Sequence, residues 1–177
     1  SGESNSFVSV PHGFYIYTEE ANSECASANP ADINCTAFKK AGESFALKVR
    51  AVCSDADNTD LSDNPVTSNY QQNNIALQHS LVAPAGGVQG SIGVSAFSIG
   101  DTDDGVQEIS AQTVSEVGVF QFSVSALDYE GESNAILASI SNNVGRFVPD
   151  HFALLGASFT NRSDIASCFD TFSYMGE

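Results

Sequence analysis

The sequence predicts an all-β fold: an antiparallel sandwich followed by the opening strands of a second module. Three observations carry this. Apolar and polar residues alternate along most of the chain, and helical periodicity is almost absent. Turn-forming clusters cut the alternating runs into about nine short strands, the spacing of a two-sheet sandwich. The end of the chain also repeats its beginning, at a spacing of roughly 135 residues. Pro11-His12-Gly13-Phe14 returns as Pro149-Asp150-His151-Phe152, and the Cys35 to Glu43 segment returns as Cys168 to Glu177. The boundaries expected are 6–147 for the sandwich and 148–177 for the truncated module behind it.

The strands are justified in order. Phe7–Val10 and Phe14–Tyr17 are short alternating runs. Phe45 to Cys53 has apolar odd positions, with Lys48 and Arg50 pointing the other way, so one face is buried. Ile75–Leu81, Ser91–Phe97 and Ser110–Val117 are weaker runs. Phe120, Phe122 and Val124 line one face of a strand whose outer face is wholly polar. Ile136–Ile140 and Arg146–Val148 complete the set. Asp55–Pro65, Pro84–Gly87, Gly100–Gly105 and Asp128–Asn134 read as turns. The joint at Asn142–Pro149 is short, which predicts a stiff connection with modules standing end to end.

Composition narrows the function. Twenty-two acidic against 6 basic residues give a net charge of −16, so the chain offers few cations for phosphates and repels nucleic acid. The same charge weakens attraction to anionic lipid, and no apolar run reaches the length of a membrane helix, so no membrane insertion is expected. None of the 4 cysteines forms a C-x-x-C pair, which disfavours zinc and thioredoxin-type chemistry and favours an oxidising compartment. Cys25 and Cys35 flank a polar segment and are the expected disulfide; Cys53 and Cys168 are the candidate second pair.

Ala41 to Asp57 and Glu116 to Val124 resemble the second and sixth strands of bacterial immunoglobulin-like domains. Phe120 stands where that family's corner usually carries Tyr, so the hydroxyl bond of the corner is missing. Glu116-Val-Gly-Val-Phe120, Val144-Gly-Arg-Phe-Val-Pro-Asp-His-Phe152 and Cys168 to Glu177 resemble, more narrowly, the MshQ-like proteins. These are associated with biogenesis of the mannose-sensitive haemagglutinin pilus in Gram-negative bacteria. The resemblance implies an exported, multi-module cell-surface protein of which this chain is an internal slice. It implies other modules of the same protein, pilus components or host-surface ligands as partners. It supplies no catalytic residues.

Three kinds of residue are candidates for chemistry. Asp55, Asp57, Asp60 and Asp63 crowd one connection, and Asp101, Asp103 and Asp104 another; closely spaced carboxylates are what calcium recruits. Neither loop is an EF-hand, since Val66 and Gln112 stand at the twelfth positions. The competing explanation is that Asp and Asn build turns by bonding their own backbone. His12 and His151 recur at matching repeat positions, which points to a joint contact, and His79 falls at the edge of a packed face. Tyr15 and Tyr17 share the outward parity of their strand, and Tyr70 and Tyr129 lie near turns, so these rings are candidates for stacking on sugars or for covering apolar surface. There is no G-x-S-x-G elbow, and the paired acids sit on turns, so enzyme activity is not expected. The function expected is a structural or interaction module for pilus biogenesis or adhesion. The alternative is a calcium-assisted carbohydrate-binding adhesin domain.

Overall fold

The structure is a computed structural model, and it describes residues 9–26 and 35–153. Among them every regular element is a strand, and no helix is long and apolar enough to cross a membrane. One sheet contains β1 (Gly13–Tyr17), β3 (Phe45–Val52) and β7 (Val106–Gln112), in the order β1-β3-β7 and antiparallel throughout. The other is built on β8 (Gly118–Val124). Along one edge of β8 runs β5 (Gln78–Ala83). On the opposite edge β11 (Ser139–Ile140) and β12 (Val144–Val148) follow one another, and β2 (Lys39–Lys40) adds in parallel outside β12. This order places β1, β3 and β7 as the A-B-E side of an immunoglobulin-like sandwich, with β5, β8 and β12 as its C-F-G side.

The predicted inward rows are the observed ones. Phe45, Leu47, Val49 and Ala51 of β3 are buried, as are Phe120, Phe122 and Val124 of β8. Aromatic rings join the two sheets. Phe45 packs against Phe122 with ring centroids 5.9 Å apart, and against Phe147 at 5.6 Å. Phe147 in turn meets Phe120 at 5.8 Å, and Phe38 covers the group from one side. These tilted and edge-on contacts are the arrangement ring quadrupoles prefer. Ser23, Asn64, Gln112, Ser139 and Ser141 are buried polar residues among those described, Gln112 the most completely. Gln112 is fully buried, accepts the Val94 N–H and donates to the Val94 carbonyl, both at 2.9 Å. Its amide thus stands in for a ladder rung, and both buried backbone groups are satisfied.

Several strand boundaries depart from expectation, each for a visible reason. The run Ile75–Leu81 is two strands, because the chain changes partner in the middle. β4 (Gln72–Ala76) pairs with β6 (Ala96–Ile99), whereas β5 pairs with β8. Ser91–Phe97 is strand only from Ala96, and the run expected at Ser110–Val117 lies earlier, as β7. Asp128–Asn134 is a hairpin, β9 (Leu127–Tyr129) and β10 (Glu132–Ile136). Glu130 and Gly131 both have positive φ, 49° and 89°, which is what a tight two-residue hairpin turn needs. Ser9 and Val10 lie outside any strand, and Phe7 and Val8 fall outside the described residues.

Phe45 holds the ring group together, so Phe45→Ala should destabilise the module by about 3–5 kcal/mol in urea unfolding. A loss below about 1 kcal/mol would show that the sheets are joined by something else.

Candidate functional site

The acidic loops are built as turns. Asp55 accepts the Ala56 N–H at 2.7 Å, Asp57 accepts the N–H and hydroxyl of Thr59 at 2.9 and 2.7 Å, and Asp60 accepts the Ser62 N–H at 2.9 Å. In the second loop Asp103 accepts the Gly100 N–H at 2.6 Å. Asn58 and Asn64 tie the first loop together, with Asn64 donating to the Cys53 carbonyl and to Asn58. The bonds from Thr59 and Ser62 hold the Asp57 and Asp60 carboxyls below the ordinary carboxylate range. Among the described residues no three His, Cys, Asp or Glu side chains converge into a group able to hold a metal ion. The expected calcium ligands Asp55, Asp57, Asp60, Asp63, Asp101, Asp103 and Asp104 therefore form no cage of that kind. Of these, Asp55, Asp57, Asp60 and Asp103 accept hydrogen bonds from their own turns.

Cys25 and Cys35 are bonded, with Cα atoms 5.4 Å apart. Cys25 is buried against Ala83 and Val119, and its backbone N–H donates to the Asn143 carbonyl, so the bridge fastens the segment before β2 onto the sheet of β8 and β12. Cys53 is a half-buried free thiol; Cys168, its candidate partner, lies outside the described residues, as does most of the expected second module.

The three lysines, all among the described residues, are paired within the fold. Lys39 pairs with Glu20 at 2.8 Å, Lys40 with Asp150 at 2.6 Å, and Lys48 with Glu19 at 2.7 Å. Lys40 and Asp150 link β2 to the chain leaving β12, beside a bond from the Ala41 N–H to the Val148 carbonyl. His151 meets its chain neighbour, the same Asp150, at 2.9 Å. His79 lies over Phe120 with centroids 5.9 Å apart, at the edge of the core.

The tyrosines divide. Tyr70 is buried among Phe14 and Tyr129 and belongs to the core. Tyr15 and Tyr17, on the outer face of β1, stack with centroids 4.6 Å apart, and the Arg50 guanidinium lies 5.0 and 5.4 Å from their rings. Arg50 also donates to the Ser62 carbonyl, which pins the acidic loop beside these rings. Between β1, this loop and β11 runs an open groove of about 420 Å³ lined by Tyr15, Asp60, Leu61, Ile140 and Asn142, among others. Composition does not reveal this groove, because its walls are 125 residues apart at Phe14 and Ser139, where the Phe14 N–H donates to the Ser139 hydroxyl.

The family model of DUF6701, second domain, matches residues 10–110, and that of DUF6701, third domain, matches residues 116–177. The chain belongs to the DUF6701 family. No curated protein and no solved structure matches it. In this DUF6701 chain the first matched segment ends within β7 and the second begins just before β8, and these two strands lie in opposite sheets. The contact between Phe45 and Phe122 spans that step, so the described parts of both segments share one core.

Two predictions follow from the bridge and the ion pairs. Cys25→Ser opens a loop of 10 residues and should lower stability by roughly 2–3 kcal/mol in non-reducing urea titrations; an unchanged midpoint would mean the bridge constrains nothing. Glu20 is held below its ordinary 4.5 by the hydrogen bond from Lys39 and then by the Ala46 N–H. A carboxyl depressed in the folded state stabilises above its unfolded pKa, and that contribution is lost as pH falls through the depressed value. Stability measured from pH 6 downward should therefore fall less steeply in Glu20→Gln than in the natural chain, the two curves converging as pH falls through the depressed Glu20 value. Parallel curves would mean that Glu20 is not linked to folding.

Proposed function

We propose that this chain is a non-enzymatic structural and interaction module of an exported cell-surface protein serving biogenesis or adhesion of a mannose-sensitive haemagglutinin-type pilus. The observation that carries the reading is the match to two successive domains of one family in a disulfide-bonded β-sandwich. A stapled all-β unit suits an oxidising compartment outside the cytoplasm. The exit of the chain supports a spacer role. Asp150 is tied to Lys40, and β12 pairs directly with β2, so the direction in which the chain leaves is fixed by the sandwich. The charge supports a protein partner over a nucleic acid one, because all three lysines are engaged within the fold and the net charge is −16.

The narrower assignment to pilus biogenesis rests on the resemblance of Val144–Phe152 to MshQ-like proteins. An in-frame deletion of residues 9–153 from the parent protein, tested in its native cell, should abolish or reduce pilus display or pilus-dependent haemagglutination. In intact cells an epitope inserted in the Glu130-Gly131 turn should be accessible to antibody. Normal pilus function in the deletion strain would overturn the pilus role, and an epitope reached only after lysis would overturn surface display.

A further inference from the structure

We propose that the groove between β1, the turn at residues 58–61 and β11 is a binding site for a neutral carbohydrate, engaged without a metal ion. Its volume of about 420 Å³ is in the range of small-ligand sites and suits one or two sugar rings. The lining has the mixture such a ligand needs. Tyr15, Leu61 and Ile140 offer apolar surface, and Ile140 is 61% exposed although it faces a structured cleft. Asp60, Thr59 and Asn142 supply carboxylate, hydroxyl and amide groups for a ring of hydroxyls.

The lining is also held in place before any ligand arrives. Tyr15 is fixed by Tyr17 and by Arg50, Asp60 by the Ser62 N–H, and Asn142 by a bond to Glu24 at 3.4 Å. Side chains already ordered lose little entropy on binding. Charge selects the class of sugar. Asp60 stands in the wall and Glu24 accepts a bond from Asn142, so two carboxylates lie beside the groove; burial first and then these carboxylates push the Tyr15 hydroxyl above its ordinary range, with Arg50 acting the other way. Sialylated or phosphorylated ligands are disfavoured there. An extended peptide is disfavoured for another reason. Strand addition needs free backbone groups along β1. On this edge the Phe14 N–H donates to Ser139, and just ahead of β1 the His12 carbonyl accepts from the Leu137 N–H.

The proposal goes beyond the spacer role, which loss of the groove would leave intact. The test uses the whole 177-residue chain, disulfide intact and ¹⁵N-labelled, in EDTA. It is titrated with chitotriose, maltotriose, lactose and sialyllactose, after a broader array of neutral and sialylated glycans. At least one neutral glycan should give saturable shifts confined to the groove, with its sialylated counterpart at least tenfold weaker. Asn142→Ala and Asp60→Ala should each weaken binding about tenfold while the rest of the spectrum stays folded, and Tyr15→Phe should retain it. The proposal is overturned if no neutral glycan on the array binds, if the shifts map to another face, if calcium is required, or if unstructured peptides bind the groove instead.

Discussion

The module depends on one junction of aromatic rings. Phe45 comes from the sheet of β1, β3 and β7, and Phe120, Phe122 and Phe147 come from the other; their rings meet edge-on or tilted between the two sheets. Apolar burial is the largest favourable term in folding, and aromatic rings bury more area than any other side chains. The strands beside them are short, and β2 and β11 have only two residues each. Such strands have few ladder bonds of their own and are held by the core they cover.

The polar parts are arranged around this junction. Gln112 replaces a missing ladder rung, and the hydroxyls of Ser139 and Ser141 accept the N–H groups of Phe14 and Phe122 where β11 crosses between the sheets. Each accounts for a backbone group that would otherwise be buried without a partner, at a cost of about 1–3 kcal/mol. The Lys40–Asp150 pair and the disulfide act further out, on β2, the segment entering it and the chain leaving β12. The groove lies where the closing of the sandwich brings β11 beside β1, so its shape is a by-product of the core. The two family segments are thereby one folded body through residue 148, although they are recognised separately along the chain.

Much was legible in advance because the physics was local. The alternation in Phe45–Cys53 and Phe120–Val124 follows from the two-residue period of a strand, and those rows are buried as expected. The Cys25–Cys35 bridge was legible from a short polar loop between two cysteines. The acidic loops were ambiguous, because Asp suits both calcium and a turn, and only the positions of Thr59, Ser62 and Gly100 show what the carboxylates bond. The hairpin at Glu130-Gly131 shows in the sequence only as a turn, since its strands are only three and five residues long and mostly exposed.

The sequence by itself determined the fold class, the inward rows, the acidic surface and the first disulfide, because each depends on neighbours along the chain. Only the tertiary structure decided where a single apolar run changes sheets, which tyrosines are core and which are surface, and where a groove opens. Those outcomes depend on residues more than a hundred positions apart meeting across the sandwich, as Phe14 and Ser139 do, and no local pattern encodes such a meeting.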